Sequence, residues 1–324
     1  MMKIGLTYDL QTNPADERQV EFDPPATIQV LTQALQVLGC QVVPLGNAGD
    51  LLREPRRLDG IELVFNLAEG GHGRCREAWV PTLLELAGVP YVGSDPLALM
   101  IGLDKVVAKR LAVAEGIATP RWIAIERPAS LPATTSLAFP LIVKPRSQGS
   151  GRGIDARAVV ADSSQLDARV RWLSERLPEP ILIEEFIPRG ELTIFVIGNA
   201  PPVAYPAIQR PIDPDSRLSC HVIAPAPSVW ECPVTLDEAI DAQARRLALT
   251  MFKATTCRDM ARVDLRVDAR GTLWFLEINP LPTVDPGGSL GLLAEYLGTT
   301  YAALISRILE AACRRLHLPV FAHG

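Results

Sequence analysis

Met260-Ala-Arg262-Val-Asp264-Leu-Arg266-Val267 and Leu273-Trp-Phe-Leu276-Glu277-Ile-Asn279-Pro-Leu-Pro282, joined through Asp268-Ala-Arg-Gly271, read as the two strands and the turn of a β-hairpin. Side chains two apart on a strand share a face, so Arg262 goes with Asp264 and Glu277 goes with Asn279. Two-for-two pairing around the turn puts all four on one side, whereas a slip of one residue divides them. Two carboxylates and an amide oxygen gathered there repel unless a cation neutralises them. A donor set made only of oxygen favours Mg²⁺ or Mn²⁺ over zinc. The competing reading is a solvated hairpin face with an Arg–Glu cross-strand pair. The apolar residues before Glu277 and the prolines after Asn279 favour a site.

Outward from the hairpin, Lys144-Pro-Arg-Ser-Gln-Gly149-Ser150-Gly151-Arg-Gly153 lies between two apolar runs. Its alternating glycines allow positive φ and let backbone N–H groups converge on an anion, with Lys144 as a point charge at the strand end. The spacing matches neither a Walker loop nor a Rossmann turn, and a flexible hairpin tip is the plainer alternative. Ile181-Leu-Ile-Glu184-Glu185-Phe186-Ile187 places an acidic pair at the end of a buried strand, with Glu191 just beyond it. Such carboxylates suit a base amino group and ribose hydroxyls, or simply a solvated strand end.

The chain has 324 residues, 48% of them apolar and 21% charged, which excludes a disulfide-stapled miniature and wholesale disorder. A net charge of −5 without a dense Lys/Arg run argues against nucleic acid as a partner. The six cysteines show no Cys-x-x-Cys spacing and read as thiols in a reducing compartment. No stretch of 18 apolar residues and no leader-like segment is seen, so a cytoplasmic protein with no membrane partner is expected. Alternating strand and helix patterns over 1–95 read as an α/β unit. Residues 96–190 read as an α+β module with the glycine loop, and 191–324 as a unit carrying the hairpin and a proline-rich cover, Arg210 to Pro233.

Taken in order, these motifs resemble the ATP-grasp superfamily, and within it the D-alanine:D-alanine ligases. The likeness rests on Val92-Gly-Ser94, Asp104-Lys105 with Lys109, Gly116-Ile-Ala-Thr-Pro120, Phe139-Pro-Leu-Ile-Val-Lys-Pro145 with Gly149-Ser150, Glu184-Glu-Phe-Ile with Glu191-Leu-Thr193, Arg262-Val-Asp264, Leu276-Glu-Ile-Asn279 and Ser289-Leu290. It implies an ATP-grasp fold behind a Rossmann-like N-terminal domain, and an ATP- and Mg²⁺-dependent carboxylate–amine ligase acting through an acyl phosphate. By the same likeness Lys105 and Lys144 hold the ATP phosphates, and Glu184, the Phe186-Ile187 backbone and Glu191 bind adenosine. Asp264, Glu277 and Asn279 ligate two Mg²⁺, Arg262 faces the γ-phosphate, and Ser150 lies near nucleotide and substrate. Glu17 receives the first amino acid's ammonium group, while Ser289 and Leu290 hold the second substrate's carboxylate. A homodimer is also implied.

The pattern departs from the family at Glu69-Gly-Gly-His-Gly73-Arg74-Cys-Arg76-Glu77, where a His-Gly-x-x-Gly-Glu-Asp-Gly segment is usual. Here the substrate side reads as basic, with Arg74 and Arg76 set to meet an additional substrate carboxylate or phosphate. The cover offers Arg217 and His221 where the family has a lysine. Two other readings therefore stand beside D-alanine:D-alanine ligation: a ligase for other amino-acid-like substrates, or a nucleotide-binding protein without turnover.

Overall fold

Four short parallel strands, Gln41–Gly46, Lys3–Thr7, Leu63–Asn66 and Tyr91–Val92 in that spatial order, form the first sheet of the computed structural model, which describes residues 1–126, 136–177, 179–219 and 229–319. Ile4, Leu6 and Phe65 are fully enclosed, as expected where helices cover both faces. One cover is helix Pro25–Val37, which turns in Leu31 and Leu35. Much of the rest of that core comes from later in the chain: Leu304, Ile305, Ile308 and Leu309 of helix Tyr301–Arg315 join the same apolar cluster, as do Phe195, Met260, Leu290 and Leu293. One face of the first sheet thus closes over residues of its own unit, among them Leu45, Leu51, Val64, Val80 and Leu84, while the other is completed from later in the chain.

The second sheet is antiparallel, in the order Trp122–Ile125, Ile181–Glu185, Leu141–Pro145, Val159–Val160, with helix Ser163–Arg176 packed on it. The run Ile154 to Val160 reads as a strand in sequence, but the Asp155 side chain accepts from the Arg157 N–H and starts a short 3₁₀ turn, Ala156–Ala158. Only its last two residues pair. The third sheet orders Val203–Ala204, Gly190–Ile197, Met260–Val267 and Leu273–Asn279. Ile208–Arg210 also pairs with Gly190–Ile197, so the single strand expected from Val203 to Ile208 is two pieces separated by Tyr205-Pro206-Ala207. Helices Lys105–Ala114 and Glu238–Ala254 bring Ala108, Ala112, Ala244 and Ala248 against Ile194, Val263, Leu265 and Phe275. Small residues on the helices allow this close approach.

The hairpin reaches the expected arrangement by an unexpected route. Pairing from the turn runs Val267↔Leu273, Arg266↔Trp274, Leu265↔Phe275, a register that would set Asp264 opposite Leu276. Leu276 is instead an extra residue, a β-bulge, and beyond it Asp264 opposes Glu277 and Arg262 opposes Asn279. Simple two-for-two pairing would have divided the four polar residues between the faces. The bulge reunites them.

Helix Pro96–Leu103 fixes the end of this hairpin. Asp95 caps it by accepting from the Ala98 N–H, and Pro96 occupies the first turn. A methyl group at Gly102 would overlap Pro280 Cδ and lie 3.0 Å from the Ile278 carbonyl oxygen. Gly102→Ala is expected to cost about 1–3 kcal/mol through overpacking, seen as a lower denaturant midpoint. An unchanged midpoint would show that helix and hairpin do not touch there.

Candidate active site

The second and third sheets face each other across a cavity. One wall carries Ile142, Lys144, the loop Gln148–Gly151 and Glu184–Ile187; the other carries Glu191, Arg262, Asp264, Arg266, Leu276 and Glu277. Because of the bulge, Leu276 also faces this space, opposite the apolar Ile142 and Phe186. Charges alternate across the floor. Glu184, almost wholly buried, is held by Lys109 at 2.7 Å and by Lys144. Lys105 Nζ lies 3.1 Å from Glu277 and donates to the Gln148 carbonyl at 2.6 Å. Arg262 forks onto Asp264, donating at 2.8 to 3.1 Å, and Asp264 also accepts from Thr193 Oγ1 at 2.8 Å and Asn279 Nδ2 at 3.2 Å.

Burial works to raise the Glu277 carboxyl, but Lys105, Lys144 and Arg262 outweigh it and hold it down at about 2. Burial likewise opposes ionisation of Glu184, yet Lys109 and Lys144 keep its carboxyl below the ordinary value. Desolvation pulls Lys109 down to about 8 against the attraction of Glu184. The carboxylates of the hairpin are thus neutralised by the protein's own cations. The expectation that their mutual repulsion by itself demands a metal is corrected. Among the described residues no group of three or more His, Cys, Asp or Glu forms a metal cluster. What remains is a set of two carboxylates and an amide, the kind that binds Mg²⁺ together with phosphate oxygens.

The glycine loop has the expected positive φ at Gly151 and Gly153, 72° and 74°, but not at Gly149; Ser150 takes a φ of 47° instead and is exposed at the cavity mouth. Its Gly149 N–H already donates to an anion, the carboxylate of Glu21. Arg76 grips the same carboxylate at 2.7 and 2.9 Å and donates to the Ser147 carbonyl at 2.7 Å. A second cavity adjoins the first and shares Lys105, the loop and Arg262 with it; its other wall bears Glu21, Asp23, Glu69, Glu77 and Asp285.

Several sequence expectations are corrected here. Glu17 is exposed and paired with Arg176, away from both cavities; Glu21, one turn later, faces in instead. Arg74 is 69% exposed and reaches Asp104 at 3.2 Å, lining neither cavity. Arg76 is enclosed and spent on Glu21, so the segment that reads as basic in sequence leaves this cavity wall acidic. Ser289 lines the first cavity and accepts from Arg210, but the Leu290 side chain is buried in the core beneath the first sheet. Lys105, Lys144, Glu184, Phe186, Ile187, Glu191, Arg262, Asp264 and Glu277 do share one cavity, with Asn279 just around the edge on the second. Of the cover, Leu218 packs on Ile142 and Phe186, and Ser219 donates to Glu191 at 3.0 Å. His221 and Cys220 lie outside the described residues, while Cys40, Cys75, Cys257 and Cys313 are free thiols.

Residues 111–310 match the family model for the D-Ala–D-Ala ligase C-terminus. The chain belongs to the D-alanine–D-alanine ligase family. A D-alanine–D-alanine ligase of Marinomonas sp. is 33% identical over 295 residues, 87% of this chain and 89% of its own. The uncharacterized protein y4sG of Sinorhizobium fredii is 34% identical over 257 residues, covering 78% and 75%. In three dimensions the chain is similar to a Bacillus anthracis D-alanine–D-alanine ligase solved with ATP, with a TM-score of 0.77 and 25% identity over 97% of this chain and 98% of that one. The fold is thus the ATP-grasp fold, and the activity is that of an ATP-dependent ligase. No helix among the described residues is long and apolar enough to cross a membrane.

Family members need substrates beside the nucleotide, and the carboxylates of the second cavity are in an unusual condition. Burial, reinforced by Asp285 and Asp9, raises Asp23 to about 7; burial also raises Glu77 to about 8, against the pull of Arg76. For Asp23 the folded value lies above the unfolded 3.8, so its contribution favours folding below pH 4 and is lost as pH rises through 7. Asp23→Asn is therefore expected to stabilise the protein by on the order of 3 kcal/mol at pH 8 and by little at pH 4. Denaturant unfolding at the two pH values checks this, and a pH-independent difference would count against a buried, uncompensated carboxyl.

Proposed function

We propose that this ligase joins the carboxylate of one amino acid or amino-acid-like molecule to the amine of another, using ATP and Mg²⁺. The observation carrying the reading is that one cavity brings Lys105 and Lys144 opposite Arg262, Asp264 and Glu277, with Asn279 on the same hairpin face at the edge of the adjoining cavity. The base and ribose end of the nucleotide fits between Ile142, Phe186, Leu218 and Leu276, beside Glu184 and Glu191. Its phosphates point toward Lys105, Lys144 and the loop at Ser150. There Lys105 and Arg262 exchange their carboxylate partners for phosphoryl oxygens, which frees Glu277 and Asp264.

Asp264, Glu277 and Asn279 would hold Mg²⁺, which, when bound, offsets the charge of the triphosphate. The carboxylate of the first substrate attacks the γ-phosphorus, ADP departs, and a mixed anhydride forms. The uncharged amine of the second attacks the acyl carbon; as the C–N bond forms, the acyl C–O bond to phosphate breaks, inorganic phosphate leaves with that oxygen, and the nitrogen gives up a proton. Arg262 and Lys144 stabilise charge on the transferring group, and positioning supplies much of the remainder. Leu218 and Ser219 cover the nucleotide and exclude water from the anhydride.

Release of ADP from ATP, stimulated by amino acids, is the measurement. Glu277→Gln is expected to lower it by at least 100-fold while the far-UV circular dichroism is retained. Removing divalent metal with EDTA is expected to abolish it and excess Mg²⁺ to restore it. Full activity of Glu277→Gln, or turnover in EDTA, would overturn the assignment of this face.

A further inference from the structure

We propose that the second cavity seats an amino acid bearing an additional amino group, so that the preferred substrate is a diamino acid and not a neutral one. The inference rests on the ligase reading and narrows its substrate class. It comes from a count of charge at the cavity wall. Glu21 is neutralised by Arg76, and the cations that the cavity shares with the nucleotide site, Lys105 and Arg262, are paired with Glu277 and Asp264. Asp285 accepts from the Gly287 N–H at 3.0 Å and from Thr27 Oγ1 at 3.3 Å, which are dipoles and not charges. Asp23 and Glu77 are only 7% and 8% exposed, line the cavity, and have no side-chain hydrogen bond or ion pair among the described residues.

Burying a carboxylate without a partner opposes folding, and the wall holds two, with Glu69 beside them. Either they carry protons or something brought into the cavity compensates them. A neutral α-amino acid brings one ammonium and one carboxylate, and the partner that attacks the acyl phosphate must do so as an uncharged amine. Two neutral substrates therefore leave most of this wall unmatched. Every further amine on the substrate meets one more carboxylate by a charge-assisted hydrogen bond. An acidic or phosphorylated substrate is disfavoured by the same sign, the reverse of what Arg74 and Arg76 suggest when read as sequence.

The test measures ADP release with MgATP across alanine, serine, aspartate, glutamate, lysine, ornithine and 2,3-diaminopropionate, each in both stereochemical forms. The expected result is a kcat/KM for at least one diamino acid tenfold or more above that for alanine. Equal or better use of alanine or of the acidic members overturns the substrate class while leaving the ligase reading intact. Asp23→Asn and Glu77→Gln are expected to lower the ratio of diamino to alanine activity tenfold or more; an equal fall in both would assign them a structural role and overturn the proposal. If no amino acid stimulates ADP release, the ligase reading fails separately. Calorimetric titration with a non-hydrolysable ATP analogue present then decides the cavity. Lysine binding at least tenfold tighter than its isostere norleucine supports the assignment, and equal binding overturns it.

Discussion

One residue too many on one strand organises this molecule. With Leu276 bulged, Asp264 meets Glu277 and Arg262 meets Asn279, so a polar face forms at the end of a hairpin whose other face is core. Without the bulge, each carboxylate would share its face with an apolar neighbour and the cavity would lose one side of its charge. The same step turns Leu276 toward the nucleotide space. Ile278 stays fully buried, which fixes the rotation of everything after it. Bulges recur beside active sites because they re-aim side chains without disturbing the rest of a ladder.

The cavity floor then obeys electrostatic bookkeeping. Lys109, Lys144 and Glu184 form a buried triad, and Lys105–Glu277 and Arg262–Asp264 form two pairs beside it. Buried pairs add little to stability once desolvation is counted, although breaking one leaves a costly orphan. Their value lies in exchange. A triphosphate can take over the cations of Lys105 and Arg262 while a divalent ion takes over the released carboxylates, so the site stays balanced through binding. The second cavity contrasts with this, since among the described residues only Glu21 of its acidic wall has a direct ion-pair partner.

Much of this was legible in the chain. The hairpin strands, the helix Lys105–Ala114 with its Asp104 cap, and the glycine loop are dictated by period, capping and turn chemistry. The helix Pro96–Leu103 was missed because Pro-Leu-Ala-Leu-Met-Ile-Gly-Leu is apolar all round and shows no face. The bulge was invisible because alternation alone does not count residues across a turn. The sign of the substrate side was misread for a different reason. Arg74 and Arg76 stand two apart in sequence, yet one reaches solvent and the other folds inward onto Glu21, a carboxylate 55 positions earlier. No local pattern announces that partnership. Glu21 and Asp23, two apart in a polar stretch just before helix Pro25–Val37, are the available clue, whereas Glu17 is the residue that fits the family pattern.

The terminal helix carries a consequence for how the polypeptide is made. Ile4 and Leu6 precede their apolar neighbours Leu304, Ile305 and Ile308 by most of the sequence. Because synthesis runs from the N-terminal side, the first sheet is made long before helix Tyr301–Arg315, which covers one of its faces. Its strands are short and its helix Pro25–Val37 shields one side, which limits the exposed surface during that interval. Closure of that face therefore waits on helix Tyr301–Arg315, and a chain stopped before it would leave Ile4, Leu6, Leu31 and Leu35 without that cover.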